Sequence, residues 1–480
     1  MSLYDKYEMV IGLETHIELK TRSKIFCSCP TEFGAAPNTH VCPICSGMPG
    51  TLPVLNSQAV DYAIMAGLAT NCTISPYSKL DRKNYFYPDL PKAYQISQYE
   101  LPLASNGFLT VETPQGTKKI GITRIHIEED AGKLLHTSEG TYIDYNRCGV
   151  PLIEVVSQPD MRSADEVRAY LRKLRSIMLY IGVSDCKMNE GSLRCDVNLS
   201  VRKKGKTELG TRCEMKNLNS FAFIAKAIDY EFRRQCELVE NGEPVIQETR
   251  RFDESSGKTL SMRSKEEAQD YRYFPEPDIP PIIINSEHLR RLRLALPELP
   301  DARIATYISW GISPETAEQL TAEKDISDCF QAAASLCQDR IELAKLITGE
   351  FSRLYQSNQE DTAANGNFRI SPEHIAVLCN MISDGRINRG TAKKLLGILW
   401  QEDCDPAQYA QKHDMLQITD PAVLREFCEK AVTEQHKAVS EYKNGKQPAF
   451  QSVLGCAMGL SRGKAHPVLL QSILKDMLSR

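Results

Sequence analysis

No Gly-x-x-x-x-Gly-Lys-Ser/Thr run, and no Gly-x-Gly-x-x-Gly following a strand pattern, occurs in the 480 residues. Any nucleotide site in this chain is therefore of neither the P-loop nor the dinucleotide-fold type. A Gly-x-Ser-x-Gly or Gly-x-Cys-x-Gly nucleophile elbow is also missing, as is the Gly/Ser-rich tract of amidases, so the chain lacks glutaminase machinery of its own. No apolar stretch is long enough to span a bilayer and no apolar run with a basic flank opens the chain, so neither a membrane anchor nor a signal peptide is expected. Positive charge is not in excess. The net charge of −4 argues against a protein that coats nucleic acid nonspecifically, while leaving room for a basic patch on one face. Beyond four near the start, the cysteines are scattered singly from Cys72 to Cys456, which suits a reducing cytoplasm better than a disulfide framework. Internal repeats and low-complexity tracts are absent.

What is present begins with those four cysteines. Cys27 and Cys29, then Cys42 and Cys45, form a CxC…CxxC set on two short turns, the arrangement a tetrahedral thiolate metal site needs, with zinc as the expected occupant. Pro30 to Gly34 reverse the chain between the pairs, and Pro43 and Gly47 keep the second pair in a turn. Four thiolates leave no open coordination position, so such a site holds a fold together and does not activate water. The alternative is four free cysteines packed as small hydrophobes.

With 42% apolar residues, the chain is long enough for two to four domains. The first ~290 residues read as alternating short strands with a few helices, and the rest as helical. Phe274 to Pro281, rich in proline, marks a seam. Helix starts of the form Ser-Pro-Glu recur at Ser313 and Ser371, where serine caps, proline fits the first turn and glutamate favours the positive helix end. Between them, Gln356 to Asn367 has almost nothing to bury and reads as a linker. The expected division is 1–290, 291–360 and 361–480.

Strand alternation then sorts the acidic residues. In Val10 to Leu19, it puts Glu14, His16 and Glu18 on one face. In Ile122 to Asp130, it puts Arg124, His126 and Glu128 opposite Ile125 and Ile127. Glu154 sits inside the apolar run Gly149 to Val156, where a buried carboxylate needs a partner such as a cation. Leu193, Cys195, Val197, Leu199 and Val201 alternate with Arg194, Asp196, Asn198, Ser200 and Arg202, and Arg212, Glu214 and Lys216 share a face close behind. Carboxylate, imidazole and guanidinium groups on adjacent strands are what nucleotide-dependent phosphoryl transfer requires: oxygen ligands for magnesium and cations for phosphates. Any one of these strands, taken singly, reads first as a solvated sheet face with surface ion pairs, and it is the agreement of four strands that favours a site. The stretch Asp81 to Tyr99 interleaves aromatics with basic and amide groups, and reads either as a base- and phosphate-holding loop or as a proline-braced surface loop.

Gly12 to Leu19, Asp81 to Gln98, Glu128 to Lys133, Pro151 to Glu154 and Tyr271 to Asp278, in this order, resemble the B subunits of the bacterial aspartyl/glutamyl-tRNA(Asn/Gln) amidotransferases. The resemblance runs essentially end to end, and the four cysteines place the chain in the zinc-bearing branch of that family. It implies an α+β fold: a cradle-shaped, largely antiparallel catalytic domain resembling glutamine synthetase, then a helical domain and an all-α tail that touches the tRNA body. It implies an enzyme using ATP and Mg2+ to activate the side-chain carboxylate of Glu-tRNA(Gln) or Asp-tRNA(Asn) as an acyl phosphate, which ammonia displaces. Ammonia comes from glutamine hydrolysed by the glutaminase (A) subunit, with the small (C) subunit completing a heterotrimer.

Carried over residue by residue, the resemblance puts the metal and phosphate site on Glu14, His16, Glu129 and Glu154, with Glu128 and Asp196 as neighbours. Alternation alone favours Glu128 over Glu129, so the assignment requires a bulge or strand end between them. Arg82, Lys83, Tyr85 and Tyr87 are the candidates for holding nucleotide or the acceptor end. A zinc-containing RNA-binding or assembly module, and a self-contained ATP-dependent amide ligase, remain as other classes.

Overall fold

The computed structural model describes residues 2–264, 270–357 and 370–479, so most of the expected linker, from position 358 onward, lies outside the described residues. The fold is α+β and divides into two units, Met1–Pro300 and Asp301–Arg480. In chain order the strands are β1 (Tyr7–Glu18), β2 (Thr73–Ile74), β3 (Tyr77–Ser78), β4 (Asp81–Asn84), β5 (Tyr94–Ser97), β6 (Ala104–Thr113), β7 (Gly116–Glu129), β8 (Lys133–Thr137), β9 (Gly140–Asp144), β10 (Pro151–Ser157), β11 (Leu193–Lys203), β12 (Cys213–Lys216), β13 (Glu248–Asp253), β14 (Lys258–Ser264), β15 (Phe274–Pro275) and β16 (Ile282–Ile283). Nine of them form one sheet in the order β14-β13-β12-β11-β1-β10-β7-β6-β2. Every pairing in it is antiparallel except β12 with β13.

The sheet has an oily face and a polar one because its central strands alternate. Met9, Ile11, Leu13 and Ile17 of β1 are buried with Cys195, Val197 and Leu199 of β11 and Ile153 and Val155 of β10, while Gly12, Glu14, His16, Glu154, Asp196 and Asn198 between them stay half-open. The helices Ser57–Ala69, Ala164–Tyr180 and Phe221–Glu240 cover the apolar face, contributing Ala63, Ile64, Tyr170, Leu174, Ile228 and Phe232 to a single core. Serine caps start the latter two: Ser163 accepts from the Glu166 amide and Ser220 from the Phe223 amide.

The proline-rich passage is not a seam. Phe274 and Pro275 pair with β4, Ile282 and Ile283 pair with β3, and Ile279, Ile284 and Leu292 are buried in the first unit's core. That core therefore runs past the expected boundary at 290. In the second unit, both Ser-Pro-Glu helix starts form as expected, with Ser313 accepting from the Thr316 amide and Ser371 from the His374 amide. The expected division at 360 does not separate two cores, however. Ile375, Leu378 and Leu395, after the linker, are buried together with Phe330, Leu343 and Phe351, before it. A polar linker excludes burial of its own residues but says nothing about whether its flanks pack together. A smaller core, built on Leu424, Cys428, Val453, Leu470 and Leu474, occupies the last part of the chain.

Candidate active site

β1 lies between β10 and β11, with Glu14 opposite Asp196, and His16 opposite Glu154 and Arg194. β10 in turn sets Glu154 opposite His126 of β7. Because side chains at paired positions project to the same face, the register itself assembles His16, Glu154 and His126 in one row across three strands. Glu128, two residues along β7, completes the group. His16 Nε2 lies 3.4 Å from Glu128 Oε1 and 3.7 Å from Glu154 Oε2, while His126 Nε2 lies 3.1 Å from Glu154 Oε2 and 3.8 Å from Glu128 Oε2. His16, Glu128 and Glu154 converge closely enough for one metal ion.

A second acidic group adjoins it on the same face. Glu14, Asp196 and Glu214 also converge within reach of one ion, and Asn198 donates its amide to Glu14 at 3.0 Å. Lys216 caps this group, 2.5 Å from Asp196 and 3.0 Å from Glu214.

The electrostatics match the crowding. Burial raises the Glu14 pKa, with the charges of Glu154, Glu214 and Asp196 adding to it. Burial opposes a charged His126, yet its hydrogen bonds to Glu128 and Glu154 lift its pKa to about 9. The same bonds reverse the effect of burial on Glu128 and Glu154, which are both held below the ordinary carboxylate range. Burial, with Asp130 beside it, pushes Glu18 up to about 8.

Glu129 is not part of this centre. β7 continues unbroken through Glu128 and Glu129, paired with Leu152 and Pro151, and its register shift lies at the other end, near Val156 and Ser157. Glu129 therefore projects to the opposite side, where it accepts from Lys92 Nζ at 2.6 Å and from the Ile96 amide at 2.9 Å. The bulge required to carry the family assignment onto Glu129 is absent, and Glu128, which alternation favours, is the one that faces His16.

The remaining expected residues divide. Arg82 is engaged in a two-pronged pair with Glu276, at 2.6 and 2.9 Å, and reaches Asp278 at 3.1 Å, so its guanidinium braces β4 against the β15 segment. Lys83 contributes to holding Glu154 ionised and lies 4.9 Å from the Tyr271 ring centroid. Burial raises the Tyr85 pKa, and the nearby Glu128 charge raises it further. Tyr87 is exposed. Tyr271 meets Tyr85 edge-on at 5.8 Å, and Tyr273 stacks on Tyr99 at 4.4 Å, so an aromatic wall stands beside the carboxylates. Sequence reading named the Tyr271 segment only for its resemblance, and did not select Glu214 or His126 although alternation had placed both on the polar face.

The four cysteine sulfurs lie within 4.8 Å of one another, with Cys42 Sγ and Cys45 Sγ 3.9 Å apart. Tetrahedral zinc–sulfur bonds of about 2.3 Å require sulfur separations of about 3.8 Å, so the donor set fits zinc in number, type and spacing. A hydrogen bond from Cys27 holds the Cys45 thiol down to about 4, and the same bond pushes Cys27 up. Gly47 keeps the loop closed: its φ is +68°, and a Cβ there would come within 2.7 Å of Lys92 Cγ. A cavity of about 110 Å3 separates this cluster from the Lys92–Glu129 pair and is lined by Lys24, Cys27, Cys45, Lys92 and Glu129 among others.

Comparison with known proteins decides the family. The GatB/GatE catalytic domain matches residues 9–290 and a GatB domain matches residues 328–478. The chain is 52% identical over 478 residues to the B subunit of the aspartyl/glutamyl-tRNA(Asn/Gln) amidotransferase of Caldicellulosiruptor saccharolyticus, covering 99% of this chain and 100% of that protein. The identically named proteins of Lachnoclostridium phytofermentans and Carboxydothermus hydrogenoformans are 51% and 49% identical, each match covering 99% of both chains. The chain belongs to the family of amidotransferase B subunits. The catalytic-domain match takes in both acidic groups, the aromatic wall and the cysteines. No helix among the described residues is long and apolar enough to cross a membrane.

Proposed function

We propose that this chain is the kinase and amide-forming subunit of a tRNA-dependent amidotransferase, acting on the side-chain carboxylate of Glu-tRNA(Gln), Asp-tRNA(Asn) or both. One observation carries the reading: two adjacent oxygen-rich groups, His16–Glu128–Glu154 and Glu14–Asp196–Glu214, on one polar sheet face. In the first step the γ-phosphoryl group of ATP passes to a carboxylate oxygen and ADP leaves. Ammonia then attacks the acyl carbon, the bond to the phosphate oxygen breaks, inorganic phosphate departs and nitrogen loses a proton to give the amide.

His16, Glu128 and Glu154, with Glu14, Asp196 and Glu214 beside them, would hold magnesium, which would supply positive charge for the phosphate oxygens. The chain's own residues do the positioning. His126, hydrogen-bonded to Glu128 and Glu154, keeps both ionised and fixes their rotamers. Lys216 balances Asp196 and Glu214, and Lys83 with the tyrosine wall offers a cation and stacking faces for phosphate and a base. The chain has no nucleophile elbow, which fits a division of labour in which a glutaminase (A) subunit provides ammonia and a small (C) subunit completes a heterotrimer working in the cytoplasm. One structural zinc on Cys27, Cys29, Cys42 and Cys45 completes the cofactor set of ATP, Mg2+ and Zn2+.

Assays of ADP release and amide formation on misacylated tRNA, with ammonium chloride as nitrogen source, test the reading. ADP release that depends on magnesium and on the misacylated tRNA supports it. Amide formation without ATP cleavage would refute it. Elemental analysis finding no zinc, or Cys42→Ser leaving zinc content unchanged, would remove the cysteine assignment alone.

A further inference from the structure

Lys24 is fully buried, with no exposed surface, in the first unit's interior next to the cysteine cluster. Its ammonium has three polar partners: the His40 carbonyl at 2.7 Å, the Tyr145 carbonyl at 3.2 Å and Cys45 Sγ at 3.6 Å. Among the described residues, no carboxylate lies within ion-pair distance of Lys24, and Glu129, across the same cavity, is engaged by Lys92. A buried ammonium without a counter-ion is costly, so the negative charge that offsets it must come from the sulfurs.

The converse holds for the cluster. A divalent ion on four thiolates leaves a net charge of about −2, and a buried cation against Cys45, the one buried ligand, lowers that cost. We propose that Lys24 is the charge-balancing residue of the four-cysteine centre, donating to Cys45 Sγ and thereby setting how tightly the centre retains its metal. The backbone supports this role from both sides: the Lys24 amide donates to the Cys29 carbonyl at 2.9 Å and the Ile25 amide to the Gly149 carbonyl at 2.8 Å. Gly149, at φ +82°, packs where a Cβ would stand 3.6 Å from Lys24 Cδ and 3.7 Å from Cys45 Cβ. Lys24 thus links both cysteine pairs and the loop carrying Tyr145.

The inference rests on the zinc reading, and the test separates the two. The full chain, co-purified with its partner subunits, is titrated with a competing chelator and zinc retention is measured for the wild type, Lys24→Met and Lys24→Arg. The same variants loaded with Co2+ report the energy of the thiolate-to-metal charge-transfer band. Lys24→Met is expected to weaken zinc retention at least about tenfold and to move the band to lower energy, because an unbonded thiolate is a stronger donor; Lys24→Arg is expected to restore most of both. Wild-type retention with an unmoved band in Lys24→Met overturns the inference and leaves the zinc site standing, whereas a wild type without zinc removes the site itself. Should Lys24→Met fail to fold, the Lys24→Met/Cys45→His double variant, which removes one negative ligand along with the cation, is expected to fold and hold zinc. Its failure to do so would equally overturn the role of Lys24.

Discussion

Glu128 and Glu129 are consecutive in β7 and face opposite sides of it, Glu128 toward His16 at 3.4 Å and Glu129 toward Lys92 at 2.6 Å. One residue of register separates a carboxylate of the proposed phosphoryl-transfer centre from a carboxylate that lines the cavity beside the cysteines. Glu128→Gln is expected to lower magnesium-dependent ADP release by roughly a thousandfold or more, since one metal-facing charge is lost. Glu129→Gln is expected to leave ADP release on misacylated tRNA near the wild-type rate. Equal losses in the two variants, measured in single turnover, would contradict the assignment.

Lys216 stands where it neutralises Asp196 and Glu214, and those two carboxylates crowd Glu14. Burial opposes its charge, yet the two carboxylates raise its pKa above the ordinary lysine value. Lys216→Met leaves three half-buried carboxylates to repel one another, so the metal-free protein loses stability. Added magnesium should then raise the melting temperature of the variant by more than it raises that of the wild type. A smaller magnesium-induced shift in the variant would show that Lys216 does not act by charge balance.

Alternation made most of the centre legible. A period of two in β1 and β11 selects Glu14, His16 and Asp196 and rejects Leu13, Ile17 and Val197, because a half-buried strand has only two faces. Which strands lie side by side was not legible: the adjacency of β1 with both β10 and β11 pairs residues more than a hundred positions apart and brings His16 beside Glu154, while the pairing of β10 with β7 sets His126 on the other side of that carboxylate. Family resemblance named Glu129, whereas the strand's own period places Glu128 beside His16 and Glu129 beside Lys92. Arg82 reads in sequence as a candidate for holding nucleotide or the acceptor end because its partner, Glu276, lies almost two hundred residues away. Proline and polar runs report on local conformation and not on which distant side chains share a core, so the burial of Leu292 in the first core and the core shared across the linker were not legible.

Glu231 is fully buried on the helix Phe221–Glu240 and accepts from Arg234 at 2.7 and 3.0 Å, from Gln235 at 2.8 Å and from Thr259 at 2.8 Å, with Arg250 at 3.4 Å. Burial alone would raise its pKa, but these donors bring it below the ordinary glutamate value. A carboxyl depressed in the folded state stabilises the fold above its unfolded pKa and loses that contribution as pH falls through the folded value. Glu231→Gln should therefore cost about 1–3 kcal/mol near neutrality, because two guanidinium groups lose one of their two carboxylate partners and keep only Glu248. The gap between wild type and variant in denaturant unfolding should narrow as pH falls below about 4. A gap that stays constant down to acid pH would rule out an ionised Glu231 as the source.

The last part of the chain offers a cut that respects its packing. Met415 and Leu416 still pack on the core shared by helices before and after the linker, whereas Ile418 pairs with Ala465 and belongs to the smaller terminal core. A chain ending before Ile370 would lose Ile375, Leu378, Leu395 and Trp400 from a core that also holds Phe330 and Phe351, and it should aggregate whatever the tail does. A chain ending at Leu416 should keep a cooperative unfolding transition. The removed segment carries Lys443, Lys446, Arg462 and Lys464, of which Lys464 pairs with Asp414 and Lys446 with Glu441. If this segment reads the tRNA body, the shortened chain with its partner subunits should bind tRNA more weakly and with a flatter dependence on salt, because fewer counter-ions are released per contact. Amide formation from ammonium at saturating tRNA should persist, since both acidic groups lie in the first unit. Unchanged tRNA affinity with an unchanged salt slope would assign the segment to heterotrimer assembly instead, and a loss of partner subunits on gel filtration would identify that role directly.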